Sequence, residues 1–248
     1  MQQRSPIVLA LDTPDLGEAR AWAAAAGDSI GMVKVGLELF GAHGPPAVRA
    51  LRGDGHRVML DLKLHDIPAT VGRAVAALAP LRVELLTVHA GGGRAMLRAA
   101  LDAAAGRTRV AAVTVLTSLG QGDLDALGLG PALGAAERLA SLALAAGCPA
   151  LVCSPLEVAR LRSLAGREVT LVCPGVRPAA GSRRGARELG AGGEAGDDQA
   201  RVAAPAAALA AGADLLVVGR PITRAPDPAA AAREVNAEAL QMARRGGR

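Results

Sequence analysis

The sequence predicts an α/β protein, a single closed (β/α)8 barrel. Three observations lead there. The chain has 248 residues, close to the ~250 typical of that architecture. Short runs of Val, Ile and Leu alternate with longer Ala-rich stretches of helical character. The short runs are apolar throughout rather than at every second residue, as expected of parallel strands covered on both faces.

The runs and stretches pair off along the chain. A strand over Ile7–Asp12 precedes a helix over Leu16–Ala26, with Asp15 in position to cap it. Met32–Val35 is followed by a helix over Ala47–Arg52, and Val58–Lys63 by one over Ala69–Ala79. Leu85–His89 leads to Arg94–Ala105, and Val110–Leu116 to Ala135–Ala146. Ala150–Cys153 leads to Leu156–Leu164, with Ser154 as a candidate cap. Val169–Pro174 and Ala203–Ala211 form the seventh pair, Leu215–Val218 and Ala229–Arg244 the eighth. No Pro/Ser-rich linker divides them, so residues 1–248 are expected to form one domain. The Gly-rich, charged stretch Ala179–Asp198 is long for a barrel loop and is expected to be a lid. The tail Arg244–Arg248 is expected to fray.

Composition excludes several functions. The only Phe, Tyr or Trp residues are Trp22 and Phe40, so a flat ligand would be gripped by hydrogen bonds, charge and aliphatic contacts. The net charge of +5 comes with many Arg; it reads either as attraction for an anion or as a bias toward Arg, Ala and Gly. No basic stripe is interleaved with aromatics, so no nucleic-acid partner is expected. Cys148, Cys153 and Cys173 form no C-x-x-C pair and read as reduced, mostly buried thiols of a cytoplasmic protein. No leader and no membrane span are expected.

In this fold the active site lies at the C-terminal ends of the strands. The polar residues there are Asp12, Lys34, Asp61, Lys63, His89, Thr117, Ser118, Ser154, Arg177, Gly219 and Arg220. Asp61 and Lys63 are two apart on one strand and so should share a face. With Lys34 from the neighbouring strand and Asp66 just beyond, they would make an alternating Lys34–Asp61–Lys63–Asp66 array. Such a network could serve only to fix the barrel, but apolar residues would do that without desolvating charges. Gly219-Arg220 could be an ordinary turn or a phosphate cradle; loops after the seventh and eighth strands are the usual phosphate site of the fold. His65 is expected to pack or hydrogen-bond, and His43 and His56 to lie at the surface. No His and carboxylate cluster has ligand spacing, so no metal is expected.

The segment Asp61-Leu62-Lys63-Leu64-His65-Asp66-Ile67-Pro68-Ala69-Thr70 resembles the D-x-K-x-x-D-I-P-x-T signature of orotidine 5′-phosphate decarboxylases. Leu9-Ala10-Leu11-Asp12, Val33-Lys34-Val35-Gly36, Val88-His89-Ala90-Gly91-Gly92-Gly93, Val113-Thr114-Val115-Leu116-Thr117-Ser118, Pro174-Gly175-Val176-Arg177-Pro178 and Val218-Gly219-Arg220-Pro221-Ile222-Thr223 are similar to the family's other strand-end motifs. The resemblance implies a TIM barrel that converts orotidine 5′-monophosphate to UMP and CO2 with no cofactor. It implies that Lys63 protonates C6 of the pyrimidine, that Asp61 faces the departing carboxylate, and that Lys34 and Asp66 hold Lys63 in place. Asp12 and Lys34 would contact the ribose, Thr117 and Ser118 the ring, and Gln199, Gly219, Arg220 and Arg177 the phosphate. Asp66 and Thr70 would reach the partner's site in a homodimer. Ala69 stands where many members carry Asn, and the segment from Arg177 to Gln199 is longer than in compact members. The competing expectations are a Mg-dependent sugar-phosphate decarboxylase or aldolase of the same barrel type, and a catalytically silent nucleotide-binding barrel.

Overall fold

The computed structural model describes residues 4–177 and 203–243. In chain order they form β1 (Ile7–Ala10), α1 (Leu16–Ala26), β2 (Met32–Val35), α2 (Leu37–His43), α3 (Pro45–Gly53), β3 (Val58–Leu64), α4 (Pro68–Leu78), β4 (Leu85–His89), α5 (Gly93–Ala104) and β5 (Arg109–Val113). Then come α6 (Gln121–Ala126), α7 (Ala132–Ala146), β6 (Ala150–Val152), α8 (Val158–Ala165), β7 (Thr170–Cys173), α9 (Pro205–Ala210), β8 (Leu215–Val218), α10 (Arg220–Thr223) and α11 (Pro228–Ala243). The strands run parallel and close into a barrel in sequence order, with β8 returning to β1. The expected lid 179–198, Gln199 and the tail 244–248 lie outside the described residues.

The two faces of each strand separate into two buried clusters. Val8, Ala10, Met32, Met59, Leu85, Ala111, Val113, Ala150, Val152, Val172 and Val217 fill the barrel. Their neighbours, among them Leu9, Val33, Leu60, Leu86, Leu151, Leu171 and Leu216, face the helical ring. This is the period-two alternation of a strand, hidden in the sequence because both faces are apolar. Trp22 sits on α1, partly buried against the outer cluster. Carrying the inner-face period two residues past Ala10, Met32, Met59 and Leu85 reaches Asp12, Lys34, Asp61 and Thr87. The dry interior is thus capped by polar side chains at the C-terminal mouth.

Several boundaries differ from expectation, for local reasons. The fifth apolar run leaves the sheet after Val113; the N–H and hydroxyl of Thr114 make its last bonds to β6, both donating to the Val152 carbonyl, at 3.1 and 3.0 Å. Asp15 does cap α1, accepting from Glu18 N at 3.0 Å. Ser154 does not cap α8. Its hydroxyl accepts from Leu156 N at 3.3 Å, while the Glu157 carboxylate accepts from Ser154 N at 3.0 Å. Residues 154–157 therefore make a turn, and α8 begins at Val158.

Candidate active site

Four charged side chains meet at the mouth of β1, β2 and β3. Lys34 Nζ donates to Asp12 Oδ1 at 2.8 Å and lies 3.9 Å from Asp61 Oδ2. Lys63 Nζ donates to both Asp61 oxygens at 2.9 Å. The order is Asp12–Lys34–Asp61–Lys63, with signs alternating so that no charge faces only its own kind. Lys34 and Asp61 are each 9% exposed. Ions so withdrawn from water need close partners and hydrogen bonds to be tolerated, and both have them. Gly36 makes room for this pairing: a β-carbon there would lie 2.9 Å from Lys34 Nζ and 3.3 Å from Asp12 Oδ1.

Asp61 and Lys63 do come together, but not because they alternate along a regular strand. The β3–β4 ladder pairs Leu60 with Leu86 and then Leu64 with Val88. Four steps on β3 therefore match two on β4. Within this irregularity Lys63 takes φ 48°, the left-handed region that non-glycine residues seldom enter. Lys63 N donates to Thr87 Oγ1 at 2.9 Å, and Thr87 Oγ1 donates to Asp61 Oδ1 at 2.9 Å. Thr87 is completely buried. It was not among the residues singled out from the sequence. The signal available was a hydroxyl at an inward position of β4, two residues before His89, in an otherwise Leu/Val run.

Asp66 stands apart from this cluster. It is exposed, its carboxylate accepts from Ile67 N at 2.6 Å, and among the described residues it forms no ion pair with Lys63. Asp12, rather than Asp66, completes the row within this chain. Thr70 is half-buried on α4. Ile67, between these two residues in sequence, is 65% exposed, and Leu37, beyond the end of the adjacent β2, is 63% exposed.

His65 and His89 stack at the same rim, with ring centroids 5.0 Å apart and planes within 11°. His89 Nδ1 accepts from Gly91 N at 3.1 Å. Burial above all, then the nearby His65 and Lys63, lowers the His89 pKa from its ordinary value.

On the other side of β1, Gly219 directly follows β8 and precedes the short α10, with Arg220 exposed as the first helical residue. A β-carbon at Gly219 would lie 3.3 Å from Ala10 Cβ and 3.7 Å from Asp12 Oδ2, so this turn abuts the charged row. Arg177 follows β7, half-buried, with its N–H donating to Ala203 O at 3.0 Å. Thr117 is buried and Ser118 exposed in the segment after β5. Among the described residues, no group of three or more His, Cys, Asp or Glu is placed to hold a metal ion.

Comparison with known proteins agrees with this geometry. The model of the "Orotidine 5′-phosphate decarboxylase / HUMPS family" matches residues 5–235. A protein of Thermobifida fusca named orotidine 5′-phosphate decarboxylase is 56% identical over 236 residues, covering 94% of this chain and 95% of its own length. One of the same name from Anaeromyxobacter sp. strain K is 52% identical over 238 residues, covering 96% and 99%. The crystal structure of the orotidine 5′-phosphate decarboxylase of Lactobacillus acidophilus superimposes with a TM-score of 0.78 at 33% identity, over 95% of this chain and 99% of that one. On sequence, fold and site arrangement together, the chain belongs to the orotidine 5′-phosphate decarboxylase family.

Proposed function

We infer that this chain converts orotidine 5′-monophosphate to UMP and CO2. The observation that carries the chemistry is the row Asp12–Lys34–Asp61–Lys63 at a partly dry barrel mouth. Breaking the C6–carboxylate bond leaves an electron pair on C6, with no π-system to receive it. The Lys63 ammonium faces that carbon, stabilises the pair electrostatically and delivers the proton that completes UMP. Fixed charges in a water-poor site act more strongly than in water and need little reorganisation during reaction. Asp61 lies beside the departing carboxylate, where two like charges raise the energy of the bound substrate relative to the neutral CO2 that leaves. The reaction uses no metal or cofactor in this reading.

Around that centre, Asp12 and Lys34 take the ribose hydroxyls, and Thr117 and Ser118 the pyrimidine edge. Gly219 and Arg220, with Arg177 and Gln199, take the phosphate; the exposed guanidinium of Arg220 next to a glycine turn supports this. Phosphate binding, remote from C6, would contribute through closure and positioning. Asp66 and Thr70 serve the partner subunit's site in a homodimer. The exposure of Ile67 and Leu37 beside the mouth, and of an Asp66 that forms no ion pair among the described residues, supports this arrangement. The enzyme is placed in the cytoplasm, where free buried thiols such as Cys148, Cys153 and Cys173 persist.

The test is the fall in orotidine 5′-monophosphate absorbance with purified protein in excess EDTA. Turnover that survives the chelator is expected. Turnover abolished by EDTA and restored by Mg²⁺ would point instead to the metal-dependent decarboxylases and aldolases of this barrel type. Binding of UMP with no decarboxylation would point to a silent nucleotide-binding barrel.

A further inference from the structure

We infer that Thr87 is a positioning residue for decarboxylation, its buried hydroxyl holding the Lys63 backbone and the Asp61 carboxylate in one rigid ring. The inference rests on the roles proposed above for Lys63 and Asp61.

The ring is explicit. Thr87 Oγ1 accepts from Lys63 N at 2.9 Å and gives its single proton to Asp61 Oδ1 at 2.9 Å, while Lys63 Nζ returns to both Asp61 oxygens at 2.9 Å. Both ends of Lys63, its amide and its ammonium, are tied to one carboxylate, the amide through one hydroxyl. The irregular pairing between Leu60 and Leu64 explains why a side chain is needed. Where the β3–β4 ladder slips, Lys63 N has no regular backbone acceptor on β4, and a buried N–H without a partner is strongly disfavoured. The hydroxyl of Thr87, pointing inward from β4, stands in for the missing carbonyl. It thereby sustains the left-handed turn at Lys63 that sends the side chain back over Asp61.

Thr87 is 0% exposed. It therefore acts through Asp61 and Lys63 and does not touch substrate. It also orients Asp61: with Oδ1 engaged by both the hydroxyl and Lys63, the carboxylate cannot rotate to relieve its repulsion with the substrate's own carboxylate. Pure space-filling would be served equally by Val, which has the same shape without the hydroxyl.

The experiment compares kcat, KM and UMP-binding stoichiometry of the wild type, T87V and T87S, with thermal melts to follow folding. T87V is expected to lose about 100-fold in kcat, the scale of a misplacement near 1 Å, with UMP stoichiometry retained. T87S, which keeps the hydroxyl, is expected to recover kcat. Wild-type kcat in T87V, or equal impairment in T87S and T87V, would overturn the inference, as would loss of kcat merely in step with UMP stoichiometry. Should T87V not fold, T87C replaces it with a weak donor and acceptor, and the same comparison with T87S decides. A wild type that does not decarboxylate orotidine 5′-monophosphate would fail the functional reading itself; an active wild type with an unimpaired T87V would fail only this inference.

Discussion

Replacing Lys63 by Gly and by Ala separates the backbone of this lysine from the chemistry proposed for its side chain. Both variants remove the same ammonium and leave Asp61 with Lys34 at 3.9 Å and the Thr87 hydroxyl. They differ only at Cβ, and φ at this position is 48°. A non-glycine residue in the left-handed region costs roughly 1–2 kcal/mol, whereas Gly in a strand ordinarily costs roughly 0.5–1 kcal/mol relative to Ala through its extra freedom in the unfolded chain. The first effect outweighs the second. K63G should be more stable than K63A by about 0.5–1 kcal/mol, reversing the usual order. For a protein of this size that corresponds to a Tm difference of roughly 1–4 °C. Urea midpoints of the two unliganded variants measure it, and both should be devoid of turnover, so activity does not confuse the comparison. K63A equal to or more stable than K63G would refute the argument that the lysine is held in a strained conformation.

Arg220→Ala should raise KM about 10- to 100-fold, the equivalent of the roughly 1.5–3 kcal/mol of a charged hydrogen bond; steady-state kinetics with an unchanged KM would remove Arg220 from the phosphate site. Mixing K63A with D66A subunits should regain up to about a quarter of wild-type activity through hybrid dimers that carry one intact site, and no regain on unfolding and refolding the mixture would exclude a shared site. His89 has a lowered pKa in the folded protein, so the unfolded chain takes up a proton at His89 near its ordinary 6.5 while the folded one resists. Stability should therefore fall as pH drops through that value and stay level above it. His89→Gln should flatten melting temperature between about pH 7 and about pH 5, and an unchanged slope would rule His89 out as the cause.

The barrel was legible because its strands are short, β-branched and bounded. Met32–Val35, Leu85–His89 and Leu215–Val218 match β2, β4 and β8 at both ends. What the pattern could not give was where an apolar run stops being sheet. Val115 and Leu116 look like continuing strand, but β6 is only three residues long and its last carbonyl, Val152 O, is taken by Thr114, so the run has no further partner there. The short α2 and α6 escaped because each spans two turns or fewer and contains Gly41 or Gly122, so local propensity barely favours them. In the site, Asp61 and Lys63 were found by their spacing, yet their contact depends on a slip in the β3–β4 register that spacing does not encode. The same slip is what gives Thr87 its place. Read from sequence it is one more strand-forming residue.

The lone tryptophan has a practical consequence. Trp22 lies on α1 in the helical ring, and the chain has no tyrosine. Its near-ultraviolet absorption therefore comes almost entirely from one indole, and its emission from that indole alone, whereas a pyrimidine nucleotide absorbs there but hardly emits. Emission from Trp22 reports the outer layer rather than the mouth. Optical signals from ligand and from scaffold can thus be read independently in one cuvette, with no label added.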